Sequence, residues 1–118
     1  MKSVRVGIMS REEFKNRTIA IAKGEYKPKK DEPKMWFESL QSFAQVLSDD
    51  NRELLRVIEE QKPESIKALE ALTGRKKGNL SRTLHTMSNY GIIDLTKHHA
   101  KEITPKVKAN HFKLEVCA

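Results

Sequence analysis

"TGRKKGNLSRTLHTMSNYGII", residues 73–93, combines a helix stop with the start of a second helix that is basic on its outer side. Leu80, Leu84 and Met87 recur at i, i+4 and i+7, one face of an α-helix, so the segment can dock on a core. Arg75, Lys76, Lys77 and Arg82 are then aimed outward. Upstream, Ser65 is placed to cap a shorter helix whose inward residues are Ile66, Leu69 and Leu72. Thr73 and Gly74 stop that helix, the glycine supplying the left-handed conformation common at helix ends. The second helix runs to about Tyr90, and Gly91 closes it in the same way.

Two short helices joined by a tight Gly-containing turn form the helix-turn-helix arrangement. After Gly91 the period changes: "IIDLT" is β-prone, "KHHAKE" is charged and loop-like, and "ITPKVKA" and "HFKLEV" alternate, with Asn110 near a turn. Short strands with a basic loop directly after a helix-turn-helix read as a wing.

Upstream, Ser48 caps a helix with Asp49 and Asp50 at its positive end and Leu54, Leu55, Val57 and Ile58 inside; it ends before Pro63. Trp36, Phe37, Leu40, Phe43, Ala44 and Leu47 make an amphipathic stripe, read as core packing or a dimer seam rather than a ligand pocket. "VRVGI", residues 4–8, is a short strand, and Ser10 with Glu13 three residues on starts a helix that includes Phe14, Ile19, Ala20 and Ile21 and ends by Gly24. "KGEYKPKKDEPK" is a linker or extended arm, and its length suggests that the N-terminal strand and helix pack on another subunit. The expected fold is mainly α with a small β-hairpin (α+β): a winged helix-turn-helix domain over 35–118, preceded by a strand-helix arm and linker over 1–34 used in dimerisation.

The 118 residues leave room for one core, and 37% hydrophobic against 33% charged content keeps that core small, so oligomerisation is a natural source of further burial. The net charge of +7 favours a polyanionic partner. Its distribution is sharper: residues 73–118 hold nine Lys/Arg against three Asp/Glu, whereas residues 35–72 hold four against eight. A basic C-terminal part follows an acidic helical middle. The single cysteine, Cys117, fits a reducing compartment, and the absence of an apolar run near 20 residues or a signal-peptide core points to the cytoplasm and away from membranes.

Residues 54–95, through Ser65-Ile66, Leu69, Leu72-Thr73-Gly74, Leu80-Ser81-Arg82, Leu84 and Tyr90-Gly91-Ile92-Ile93, resemble the winged helix-turn-helix of MarR-like bacterial and archaeal transcriptional regulators. With the preceding "WFESLQSFAQVLSDDNRELL", the chain is similar to a subgroup of small DNA-binding proteins, some encoded beside toxin genes and taken to be antitoxins. The resemblance implies DNA binding by about two-thirds of the chain. It departs from many relatives in its wing, "TKHHAKEIT", which is shorter than their Arg/Gly-rich wings, and in its N-terminal strand and helix, which differ from the long dimerisation helices of typical MarR proteins.

A recognition helix reads bases in the major groove with residues of its first half, here Lys76, Lys77, Gly78, Asn79, Ser81 and Arg82. Arg82 suits guanine and Asn79 adenine, each through a bidentate pair. Gly78 either lets the backbone approach DNA or is merely tolerated in the first turn. Arg75, Lys76, Lys77, Ser81 and Thr83 are expected to meet phosphate, with Lys97, His98, His99 and Lys101 doing so from the wing unless that tip is only solvated. His85 completes the candidate set. His98-His99, His85, His111 and Cys117 show no zinc spacing, and no catalytic or phosphate-cradle motif is present, so no metal, cofactor or enzymatic activity is expected. The function expected is a homodimeric DNA-binding regulator, a repressor on an inverted repeat; the alternative is an antitoxin that neutralises a small toxin protein and autoregulates its operon.

Overall fold

Serine side chains start four of the five helices of the computed structural model, which describes residues 2–97 and 102–116. Ser10, Ser39, Ser48 and Ser65 each accept, on Oγ, the backbone N–H three residues on, at 3.0–3.2 Å. Each bond satisfies one of the amides a helix start leaves without an internal partner. The helices so begun are α1 (Arg11–Ala22), α2 (Leu40–Val46), α3 (Asp49–Gln61) and α4 (Ile66–Thr73); the fifth, α5 (Lys77–Asn89), begins without a cap from its own side chains.

Five strands are described with them: β1 (Ser3–Ile8), β2 (Met35–Phe37), β3 (Ile93–Lys97), β4 (Ile103–Val107) and β5 (His111–Glu115). The fold is therefore α+β, with a small antiparallel β3–β4 hairpin and a three-stranded parallel sheet in the order β2-β1-β5. α1 is the crossover that a parallel β1–β2 pair requires. No residue of α1 is buried, because Ile19 falls on the opposite side from Phe14 and Ile21. Instead, Arg17 fastens the helix. Its guanidinium lies 5.2 Å from the Trp36 ring centroid and 5.8 Å from that of Tyr26, and it pairs with Glu32 at 3.2 Å. Trp36 in turn lies across Gly7, where an added Cβ would come within 2.3 Å of the indole.

The sheet, α2 to α5 and the hairpin share one core. Val6, Phe37, Leu54, Leu69, Leu80, Leu84, Met87, Ile92 and Ile93 are essentially inaccessible to solvent. Phe37 joins the layers, stacking on Tyr90 with ring centroids 4.2 Å apart and meeting Phe43 edge-on at 5.3 Å. At the other end of the sheet, Asn110 receives the Lys2 backbone N–H on Oδ1 and donates from Nδ2 to Glu59 of α3.

Several expectations change. The Trp36-to-Leu47 stripe is not one helix: Met35–Phe37 pairs with Val6–Ile8, and Ser39 starts α2 only at Leu40. Strand pairing buries Met35 and Phe37, which outweighs the helical spacing, while Leu40 is left exposed. The protein is accordingly less dominated by helix than expected, with a parallel sheet beside the hairpin. Leu72, expected inside, is exposed at the last turn of α4. Residues 1–34, set apart by their linker composition, contribute the central strand of the sheet within the same chain. β5 leaves the hairpin altogether to pair with β1.

Among the described residues no helix is long and apolar enough to cross a membrane.

Candidate functional site

The buried stripe of α5 is Leu80, Leu84 and Met87, all at 0% exposure, and it fixes what the rest of the helix presents. Gly78, Arg82, His85 and Asn89, at i, i+4, i+7 and i+11, lie on the opposite side and are exposed. Lys76 and Lys77 are exposed at the helix start, beside Gly78 and Asn79. The guanidinium of Arg82 has no hydrogen-bond or ion-pair partner among the described residues, so it is available to an external acceptor.

Arg75 behaves differently from its basic neighbours. Half-buried, it donates from Nε to Asn79 Oδ1 at 2.9 Å, from Nη1 and Nη2 to Asn51 Oδ1 at 3.3 Å, and from Nη2 to Thr83 Oγ1 at 3.4 Å. Asn51, in the first turn of α3, is itself held by the carbonyls of Val46 and Gln45. Arg75 thus braces α5 against α3 and sets the rotamer of Asn79. Its expected phosphate contact competes with these internal bonds. Thr83 is tied into the same brace.

Glu70 supplies the cap that α5 lacks. Its Oε2 accepts the Lys77 backbone N–H at 2.8 Å, placing a carboxylate of α4 at the positive end of α5. Glu70→Ala is expected to lower stability by about 0.5–2 kcal/mol, the usual worth of a cap. Denaturant unfolding would measure that loss, and hydrogen exchange at Lys77 should quicken with it; unchanged exchange would mean the carboxylate caps nothing.

At the far end, Ile92 N–H donates to Met87 O at 2.9 Å and Gly91 N–H to Ser88 O at 3.0 Å, the paired bonds of a Schellman ending. Gly91 takes φ +83°, the left-handed geometry this ending requires. The turn delivers β3 directly alongside α5, while β4 packs on α3 and α4. The Ile92 carbonyl then receives the N–H groups of Lys108 and Ala109, closing the hairpin onto the helix end.

Lys97 is exposed at the end of β3, opposite Ile103. His98, His99 and Lys101 lie outside the described residues, as does Cys117. His85 Nδ1 donates to the Ser81 carbonyl at 2.7 Å, which leaves Nε2 as its outward polar atom. Ser81 is half-buried. On the α3 side, a groove of about 540 Å³ is lined by Asp50, Glu53, Leu72, Arg75 and Asn79 among others. Charge therefore changes sign across α5: basic at its start and outer face, acidic on the flank shared with α3.

Sequence reasoning singled out Arg82, Lys76 and Lys77 but missed Asn51 and Glu70, which position α5. Neither has a local signal, because each acts on a different helix.

A family model matches residues 46–114, from the end of α2 through α3, α4, α5 and the hairpin into β5. The chain belongs to the HVO_A0114 family. The HVO_A0114 region covers more than half of the chain and contains every candidate residue, while β1, α1 and β2 precede it. That family description carries no activity, substrate or partner. Searches of curated proteins and of solved structures return no match.

Proposed function

We propose that this HVO_A0114-family protein is a sequence-specific, double-stranded-DNA-binding transcriptional regulator, a cytoplasmic repressor that acts as a homodimer on an inverted repeat. In this reading its fold is a MarR-like winged helix-turn-helix: α4 and α5 are the helix pair, α5 is the recognition helix, and β3–β4 is the wing. The observation that carries it is the exposed basic face of α5, with an Arg82 that has no partner among the described residues, on a helix fastened from behind by Leu80, Leu84 and Met87.

The chemistry follows from groove geometry. A helix fits the major groove of B-form DNA, and an arginine there can donate two bonds to O6 and N7 of guanine. Asn79 reads adenine with its amide already oriented by Arg75; its Oδ1 retains a second lone pair for the adenine amino group. Lys76, Lys77, Ser81 and Lys97 supply phosphate contacts, which set register and salt dependence. His98, His99 and Lys101 join them on the sequence reading alone. Glu70 has the opposite effect, holding a negative charge where a phosphate would otherwise sit.

Gly78 gives a test in which stability and binding move oppositely. A Cβ at this position meets no atom of the described residues within 4 Å, so none of them requires glycine here. Gly78→Ala is expected to stabilise the protein by about 0.5–1 kcal/mol through helix propensity. It should weaken DNA binding if the DNA backbone approaches this turn. A variant both more stable and equally tight on DNA would remove Gly78 from the interface.

The function as a whole is tested by selecting the purified protein against a random duplex library at about 0.15 M salt, where nonspecific attraction is already screened. Enrichment of an inverted repeat is the expected result. Binding that enriches no sequence and only fades with salt would reject sequence-specific regulation.

A further inference from the structure

β5 is an outer strand of the parallel sheet, and its outer side is unusually suited to one partner. The His111 backbone N–H donates to the Lys2 carbonyl at 3.2 Å. By the alternation of a strand, the polar backbone groups of His111, Lys113 and Glu115 face β1, while those of Phe112 and Leu114 point to the open edge. Five residues long, β5 carries no proline to blunt that edge; at the opposite side of the sheet, β2 has only three residues before the Ser39 cap. Leu114 and Val116 are exposed by 39% and 50%.

Side chains add a second, independent pattern. The register Val4↔Phe112 and Val6↔Leu114 puts Phe112 and Leu114 on the face that carries buried Val6. Arg5↔Lys113 and Gly7↔Glu115 put the two charges on the other face. Glu115 pairs with Arg5 at 3.5 Å. Lys113 sits beside the same Arg5, a like charge, and has no carboxylate partner among the described residues.

We propose that β5 pairs antiparallel with β5 of a second copy of this chain, about a two-fold axis through Leu114, to make one continuous six-stranded sheet. Charge selects the register. Three central registers keep outward backbone groups facing each other, and they place the axis at residue 113, 114 or 115. An axis at Lys113 opposes two lysines, and an axis at Glu115 opposes two glutamates. Only the axis at Leu114 sets each Lys113 against Glu115 of the partner subunit, with Leu114 against its own copy and Phe112 against Val116 of the partner subunit. That valine then falls beside a groove of about 710 Å³ bordered by Phe43, Ala44, Leu47 and Phe112, where its apolar surface is covered.

This interface supplies the dimer that reading an inverted repeat requires, yet it rests on the sheet edge and not on DNA. Its test contains no DNA, so failure here leaves base reading by α5 to be judged by its own selection experiment. Sedimentation of the full chain at rising concentration should show a dimer. K113E and E115K, each of which opposes like charges twice across the two-fold, should weaken self-association about tenfold or more. Mixing the two variants should restore the dimer as a heterodimer, because every reversed position then faces its opposite. Leu114→Lys, at a site already exposed in the single chain, should abolish association without unfolding. A monomeric wild type, single reversals that associate like wild type, a mixture that does not recover, or an unaffected Leu114→Lys dimer would each overturn the proposal.

Discussion

Replacing Phe37 with alanine is expected to cost about 3–5 kcal/mol, the range for truncating a buried aromatic. Phe37 is 1% exposed and touches three parts of the fold: β1 through strand pairing, α2 through Phe43, and the end of α5 through Tyr90. Truncation removes the stacked and the edge-on contact together and leaves a cavity where the sheet meets the helices. Since a domain of this size typically has about 5–15 kcal/mol in all, the loss is about a fifth of the stability or more. Equilibrium denaturation, followed both by far-ultraviolet circular dichroism and by Trp36 fluorescence, gives the size of the loss. A fall below about 1 kcal/mol would mean that the sheet and the helical part fold without depending on this side chain.

Arg82→Ala is expected to reduce discrimination between a selected operator and random duplex by about 10–100-fold, corresponding to the roughly 1–3 kcal/mol of a bidentate arginine–guanine pair. Stability should stay within about 0.5 kcal/mol of wild type, because an exposed side chain without partners among the described residues leaves no buried group there unsatisfied. The binding loss therefore cannot be mistaken for unfolding. The joint change Lys76→Ala, Lys77→Ala should act differently, weakening all duplexes alike and flattening the dependence on salt by about two units of slope. Titration of operator and random duplex at several salt concentrations separates the two patterns. Equal losses on both duplexes for Arg82→Ala would reject its role in reading bases.

Arg75 illustrates how far the sequence could be read. Its position beside Lys76 and Lys77 suggests the same outward role, because the local sequence records only charge. In the folded chain, Asn51 arrives from 24 residues away and turns Arg75 into a brace. Trp36 and Phe37 make the same point for the fold. Their spacing to Leu40, Phe43 and Leu47 satisfies a helix, and only pairing with Val6–Ile8 makes them a strand. The signal for a break was present in Ser39, whose cap begins α2 inside the apparent stripe.

What the sequence by itself determined is what acts within a turn or two of chain. The starts of α1, α3 and α4 follow from Ser10, Ser48 and Ser65; the ends of α4 and α5 follow from Gly74 and Gly91; the buried stripe Leu80, Leu84 and Met87 places Arg82 outside. Capping bonds, left-handed glycines and helical spacing all operate among near neighbours, so their residues can be recognised without the fold. Tertiary structure alone decided that β1 stands between β2 and β5, that Glu70 caps α5, and that Arg75 faces inward. Those arrangements join residues far apart in the chain. Which distant donor finds which acceptor is settled only when packing of the common core brings those elements side by side.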